Sequence, residues 1–116
     1  MIFTMIFDQG DVVLLNFPFT SGVKSKKRPC IVLSNKDYNK NRHEIIAAPI
    51  TSQKNKEFFL GDYQIKDWKE AGLLKPSTFK CILFTLEEEN IVKKIGKFTN
   101  KDLNLAIKSI TSVFNL

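Results

Sequence analysis

The sequence predicts a mainly β domain with a C-terminal helix, a small barrel on which that helix packs. Apolar and β-branched residues fall in short runs bounded by Gly, Pro, Asn and Ser, the pattern of buried strands. Sustained helical spacing comes only near the end, where Leu103, Ala106, Ile107, Ile110, Val113 and Phe114 would share one stripe. A length of 116 residues with 43% hydrophobic content fills one core, so a single domain over residues 1–116 is expected, without disulfides or metals to staple it.

Gly10-Asp11 opens the first strand, residues 12–17, whose almost continuous apolar content suits burial on both faces. Pro18 ends or bends it. Residues 20–27 are loop by composition, and Pro29 holds Arg28 extended at the mouth of a second strand, residues 30–33. The polar, Asn-rich residues 36–41 read as another loop, and residues 44–50 as a third strand with Pro49 at an edge or bulge. Phe58-Phe59-Leu60 and Tyr63-Gln64-Ile65 flank Gly61-Asp62 as a fourth strand or bent pair. Residues 67–71 suit one helical turn with Gly72 as a left-handed cap. Residues 78–86 and 90–98 read as a hairpin around Glu87-Glu88-Glu89. Thr99 then starts the helix, with Asp102 where a capping box places an acid.

The net charge is +6, but residues 24–56 alone carry nine Lys/Arg against Asp37 and Glu44, a net of +7. Such a field favours polyanions, nucleic acid above all, although a solvated lysine-rich surface gives the same count. Cys30 and Cys81 sit in apolar surroundings and read as unpaired core thiols, which points to a reducing compartment. With His43 as the only histidine and no cysteine pair at ligand spacing, no metal or other cofactor is expected. The apolar residues 1–7 lack a basic leader region and a cleavage site, and nothing reaches membrane-spanning length; a cytoplasmic location follows as the expectation.

Arg28 is the leading candidate for chemistry, because its planar, permanently charged guanidinium matches a phosphate where the neighbouring lysines act as point charges. A surface ion pair is its bland alternative. Thr51, following an apolar strand, can donate its hydroxyl to a phosphate oxygen, or simply close a turn. Ser52, Gln53 and Ser77 are further polar candidates in loops. Phe17 and Phe19 could stack bases, though packing accounts for most of the ten phenylalanines.

These segments resemble the MazF/PemK (Kid-like) family, the toxins of bacterial type II toxin–antitoxin pairs. The likeness runs through Gly10-Asp11-Val12-Val13, Phe17-Pro18-Phe19-Thr20, Arg28-Pro29 with its strand to Ser34, Pro49-Ile50-Thr51-Ser52-Gln53, Gly72-Leu73-Leu74-Lys75-Pro76-Ser77 and Leu83-Phe84-Thr85-Leu86. It implies an SH3-like barrel, a homodimer, and a metal-independent endoribonuclease cutting single-stranded RNA, held in check by an acidic antitoxin with which it also binds DNA. By the same resemblance Arg28 and Thr51 are catalytic. Phe19, Thr20, Lys24, Lys26, Lys27, Ser52, Gln53 and Ser77 would bind RNA.

The implied reaction is attack of a ribose 2′-OH on the adjacent phosphorus, leaving a 2′,3′-cyclic phosphate and a 5′-OH. Arg28 suits the developing charge but not the role of base. Two departures from the family pattern matter. Val23 stands where many relatives carry a glutamate, and the strand after Ser77 lacks the charged pair that often precedes Leu-Phe-Thr. The general base is therefore unassigned, and a catalytically impaired RNA- or antitoxin-binding barrel is the alternative reading. A barrel binding proline-rich peptides fits less well, because that mode needs an aromatic-lined groove.

Overall fold

The structure is a computed structural model that describes residues 6–16, 27–53 and 57–115. The chain runs β1 (Asp11–Asn16), β2 (Lys27–Val32), α1 (Lys36–Arg42), β3 (Glu44–Thr51), β4 (Tyr63–Gln64), β5 (Thr78–Phe79), β6 (Phe84–Glu87), a 3-10 turn at Glu88–Asn90, β7 (Ile91–Lys97) and α2 (Asn100–Val113). Its one sheet has the order β4-β5-β3-β2-β1-β7, with β6 also on β3, and every pairing is antiparallel. Among the described residues no pairing joins β7 to β4, so the sheet is barrel-like without closing into a ring.

The period-two side-chain alternation of strands splits the core. Val12, Ile31, Ala48 and Ile50 face a cluster completed by Tyr63, Phe79, Phe98 and Ala106, while Val13, Leu15, Cys30, Val32, Ile45 and Ala47 pack with Phe7 on the other side. This is why the strands read as continuous apolar runs. Cys30 and Cys81 are free thiols. Burial, only partly opposed by the Arg28 charge, pushes the Cys30 thiol up to about 12.

Asp102 is fully buried at the junction of β4 and α2. Thr99 caps α2 as expected, its hydroxyl accepting from the Asp102 N–H at 3.2 Å. The acid does not complete a reciprocal box. Its carboxylate instead accepts from the Tyr63 hydroxyl at 2.5 Å, the Lys66 N–H at 3.2 Å and the Asp67 N–H at 2.8 Å. One carboxylate thereby ties the helix start to the chain leaving β4.

The turn that follows forms as anticipated. Leu73 N–H bonds Trp68 C=O and Gly72 N–H bonds Lys69 C=O, both at 3.0 Å, which is the Schellman pattern with Gly72 at φ +83. A Cβ on Gly72 would lie 2.2 Å from the Ile95 carbonyl, and one on Gly96 would lie 2.2 Å from that of Ala71. Backbone therefore rests on backbone here.

Three expectations need correction. Residues 36–42 form α1 rather than a loop: Asn35 caps it by accepting from Tyr38 N–H at 2.9 Å, and buried Asn39 donates to the Phe7 carbonyl at 2.8 Å and the Ser34 carbonyl at 3.1 Å. Hydrogen bonds to neighbouring backbone hold this polar helix where an apolar stripe is missing. The segment before Tyr63 is not a strand; β4 is Tyr63–Gln64 alone. The hairpin is also absent as such, because β6 pairs with β3 and β7 with β1. The run from residue 78 to 86 is broken between β5 and β6, where Lys80 turns inward. Phe114 and Val113 end the helix more than half and nearly half exposed.

Tyr63→Phe removes the donor to Asp102 and is expected to cost about 1.5–3 kcal/mol, the range for a hydrogen bond to a charged group. Burial first, and the Asp102 carboxylate second, raise the Tyr63 pKa above its ordinary value. The contribution of the protonated phenol is thus complete below about pH 10 and fades above it. Urea midpoints at pH 7 and at pH 10.5–11 should show the gap to wild type narrowing at the higher pH.

Candidate functional site

The register of β2 on β3 brings the two leading residues together. The ladder pairs Val32 with Ala47, Ile31 with Ala48 and Cys30 with Pro49 and ends there; Arg28, two residues before it on β2, and Thr51, two residues after it on β3, line the same cleft. On the far side of β3, Thr51 pairs with Thr78, which pairs with Gln64 on β4. A polar row Thr51, Thr78, Gln64 thus crosses three strands, with Arg28 at the same cleft. The next row, Ile50, Phe79 and Tyr63, points into the core.

Two clefts open along this row. The larger, about 430 Å³, is lined by Lys27, Arg28, Thr51, Ser52, Gln53, Lys75 and Ser77, with Leu14, Gly72, Leu73 and Ile95 among its apolar walls. The second, about 300 Å³, shares Thr51, Ser52 and Gln53 and adds Glu57, Phe58, Gln64, Pro76, Thr78 and Lys80. The shared residues make the two clefts compartments of one groove.

Arg28 is exposed at the mouth of β2. Among the described residues the ion pairs are Arg42–Glu44, Lys80–Asp62 and Lys94–Asp11, so no carboxylate holds Arg28 and its fork is open to a ligand. Thr51 serves a turn and retains a donor: its hydroxyl oxygen accepts from the Gln53 N–H at 3.2 Å, leaving the O–H proton uncommitted there. Ser77 is buried, and its hydroxyl donates to the Lys75 carbonyl at 2.8 Å, so it shapes the wall more than it offers a donor. Ser52 and Gln53 are exposed in the groove. Phe19, Thr20, Lys24 and Lys26, together with Phe17 and Val23, lie outside the described residues.

Lys80, which no sequence signal marked, is 7% exposed. Its ammonium pairs with the Asp62 carboxylate and donates to the Glu57 carbonyl at 2.6 Å, over the Phe59 ring. Asp62 also accepts from Phe59 N–H at 2.9 Å and Cys81 N–H at 2.8 Å. Burial alone would raise the Asp62 carboxyl, but the Lys80 ammonium and the two N–H donors outweigh it and hold it below the usual carboxylate range. This pair fixes the wall of the smaller cleft. Lys75, inside a motif already noted, joins the larger one. Among the described residues no cluster of three or more His, Cys, Asp or Glu has metal-holding geometry.

A family model described as PemK-like, MazF-like toxin of type II toxin–antitoxin system matches residues 8–114. The chain belongs to this family. The fold agrees with solved MazF structures. A MazE–MazF complex from Deinococcus radiodurans superposes with a TM-score of 0.77 at 18% identity, covering 97% of this chain and 99% of that one. A mycobacterial endoribonuclease in complex with its cognate antitoxin gives 0.75 at 14% identity, covering 94% and 95%. A Mycobacterium tuberculosis MazF toxin gives 0.73 at 18%, covering 91% and 97%. No curated protein matches the chain by sequence. These structures share the fold of the chain, and among the described residues no helix is long and apolar enough to cross a membrane.

Asp62→Asn leaves the Lys80 ammonium buried without a counter-charge and is expected to cost about 3–5 kcal/mol at pH 7. Because the folded-state pKa of Asp62 is depressed, its contribution is present above about pH 4 and is lost as pH falls through the folded value. Thermal melts from pH 7 to pH 2 should show wild type losing more stability on acidification than the variant.

Proposed function

We propose that this single toxin domain, residues 1–116, is a cytoplasmic, metal-independent endoribonuclease that cuts single-stranded RNA at preferred sequences by 2′-OH attack. The observation that carries the reading is Arg28, in no ion pair among the described residues, lining one basic cleft with Thr51. Membership of the toxin family supports the same reading.

In this reading Arg28 places its planar donors on the oxygens of the scissile phosphate, where negative charge grows as the phosphorane forms. Thr51 donates a hydrogen bond to the same group. Ser52 and Gln53 continue along the strand's path, Ser77 and Lys27 border it, and Lys24 and Lys26, shortly before β2 in sequence, add charge. Phe19 and Thr20 contact the RNA in this reading. Orientation of a flexible strand supplies much of the rate, because the attacking 2′-oxygen must line up with the departing 5′-oxygen.

The protein works as a homodimer, and an acidic antitoxin competes for the basic face around Arg28. Attraction between exposed charges speeds association and weakens with salt. Light scattering at micromolar concentration should give twice the chain mass; a monomer would count against the arrangement. Substituting Lys24, Lys26 and Lys27 by Gln together should slow association of both RNA and antitoxin, read by stopped-flow at low salt.

The direct test is incubation of purified protein with a long RNA in EDTA. Cleavage is expected, with cyclic-phosphate and 5′-hydroxyl ends, and a substrate with 2′-deoxyribose at the cut should be inert. Arg28→Ala should lower the rate by about 10²–10³ with an unchanged melting temperature. Dependence on added magnesium, cutting of the deoxy substrate, or a wild-type rate in the variant would each overturn the reading.

A further inference from the structure

The attack described above requires a group that takes the proton from the 2′-OH, and the side chains of the larger cleft supply cations, hydroxyls and an amide but no carboxylate and no imidazole. Residues 17–26 and 54–56, outside the described residues, contain no Asp, Glu or His either. His43 is exposed at the C-terminus of α1 and lines a separate pocket with Ile6 and Glu88. Among the described residues one carboxylate lines the groove: Glu57, in the smaller compartment.

We infer that Glu57 is the general base of the cleavage reaction, an inference that rests on the ribonuclease reading given above. Its compartment shares Thr51, Ser52 and Gln53 with that of Arg28, so a strand whose phosphate sits at Arg28 and Thr51 continues past Glu57. The residue is not loosely placed. Its carbonyl oxygen accepts from the Lys80 ammonium at 2.6 Å, and that ammonium is locked by the buried Asp62 carboxylate. The backbone is therefore held while the side chain remains exposed to substrate.

The step balances without a further reagent. Glu57 takes the proton of the 2′-O–H, and the 2′-oxygen forms a bond to phosphorus as the bond from phosphorus to the 5′-oxygen breaks. The departing 5′-oxygen leaves with the bonding pair and takes a proton from solvent, to which Glu57 returns the one it accepted. Arg28 carries the charge of the phosphorane throughout. A carboxylate in a basic groove also repels the polyanion it acts on, and this gives the residue a distinctive signature.

The test compares Glu57→Gln with wild type on one RNA cleaved by the wild-type protein, measuring kcat, RNA affinity by anisotropy in the Arg28→Ala background, and melting temperature. The expected result is a fall in kcat of about 10²–10⁴, with RNA affinity equal or tighter and the melting temperature unchanged. A variant that cuts at the wild-type rate overturns this inference and leaves the ribonuclease reading standing. A fall in kcat matched by a loss of RNA affinity or of thermal stability also overturns it, since the residue then acts in binding or folding. Failure of the wild-type protein to cut any RNA overturns both.

Discussion

Everything at the groove depends on the register of β2 against β3. Side chains alternate across a strand, so a slip of one residue would exchange the core row for the polar one. Burial prevents that slip, because Cys30, Ile31, Val32, Ala47 and Ala48 are all fully enclosed and each has its own cluster to satisfy. The hydrophobic effect, acting well inside the strands, thereby brings Arg28 and Thr51 out at the same end of the ladder, where both line one cleft.

The second anchoring device is electrostatic and lies beneath the groove. A buried ion pair contributes little net stability relative to an apolar replacement, since both charges have been taken out of water. Its value here is positional. Asp62 holds Lys80, Lys80 holds the Glu57 carbonyl, and the N–H groups of Phe59 and Cys81 close the same knot. Asp102 performs the equivalent task on residues 63–67, so the stretch from Glu57 to Asp67 is held by two buried carboxylates.

The sequence made the central strands legible because burial on both faces demands unbroken apolar runs at residues 12–15, 30–33 and 45–50. It also made Arg28 and Thr51 legible, since each follows or precedes such a run beside a proline or a polar turn. It hid α1, whose residues 36–42 have no apolar stripe and whose stability comes from Asn35 and Asn39 bonding to backbone. It hid Lys80 as well: a lysine after Phe79 looks like any exposed edge residue until a carboxylate from elsewhere in the chain is known to face it. Pairing partners were the other blind spot. The acidic run Glu87-Glu88-Glu89 suggested a hairpin, but β6 and β7 answer to β3 and β1, a choice that depends on long-range packing and not on the turn.

The contact between Gly72 and Gly96 bears on the shape of the groove. Most clefts are lined by side chains that can swing aside, so their width is adjustable at the cost of a rotamer change. At Gly72 one edge of the larger cleft instead rests on β7 through bare main chain, with no side chain between them. That edge is set by peptide groups in contact, a hard stop, while the exposed side chains of Lys27, Arg28, Gln53 and Lys75 elsewhere in the cleft keep their freedom. The cleft is therefore a rigid sill with soft rims: whatever enters can displace its other edges but must take the shape of this one.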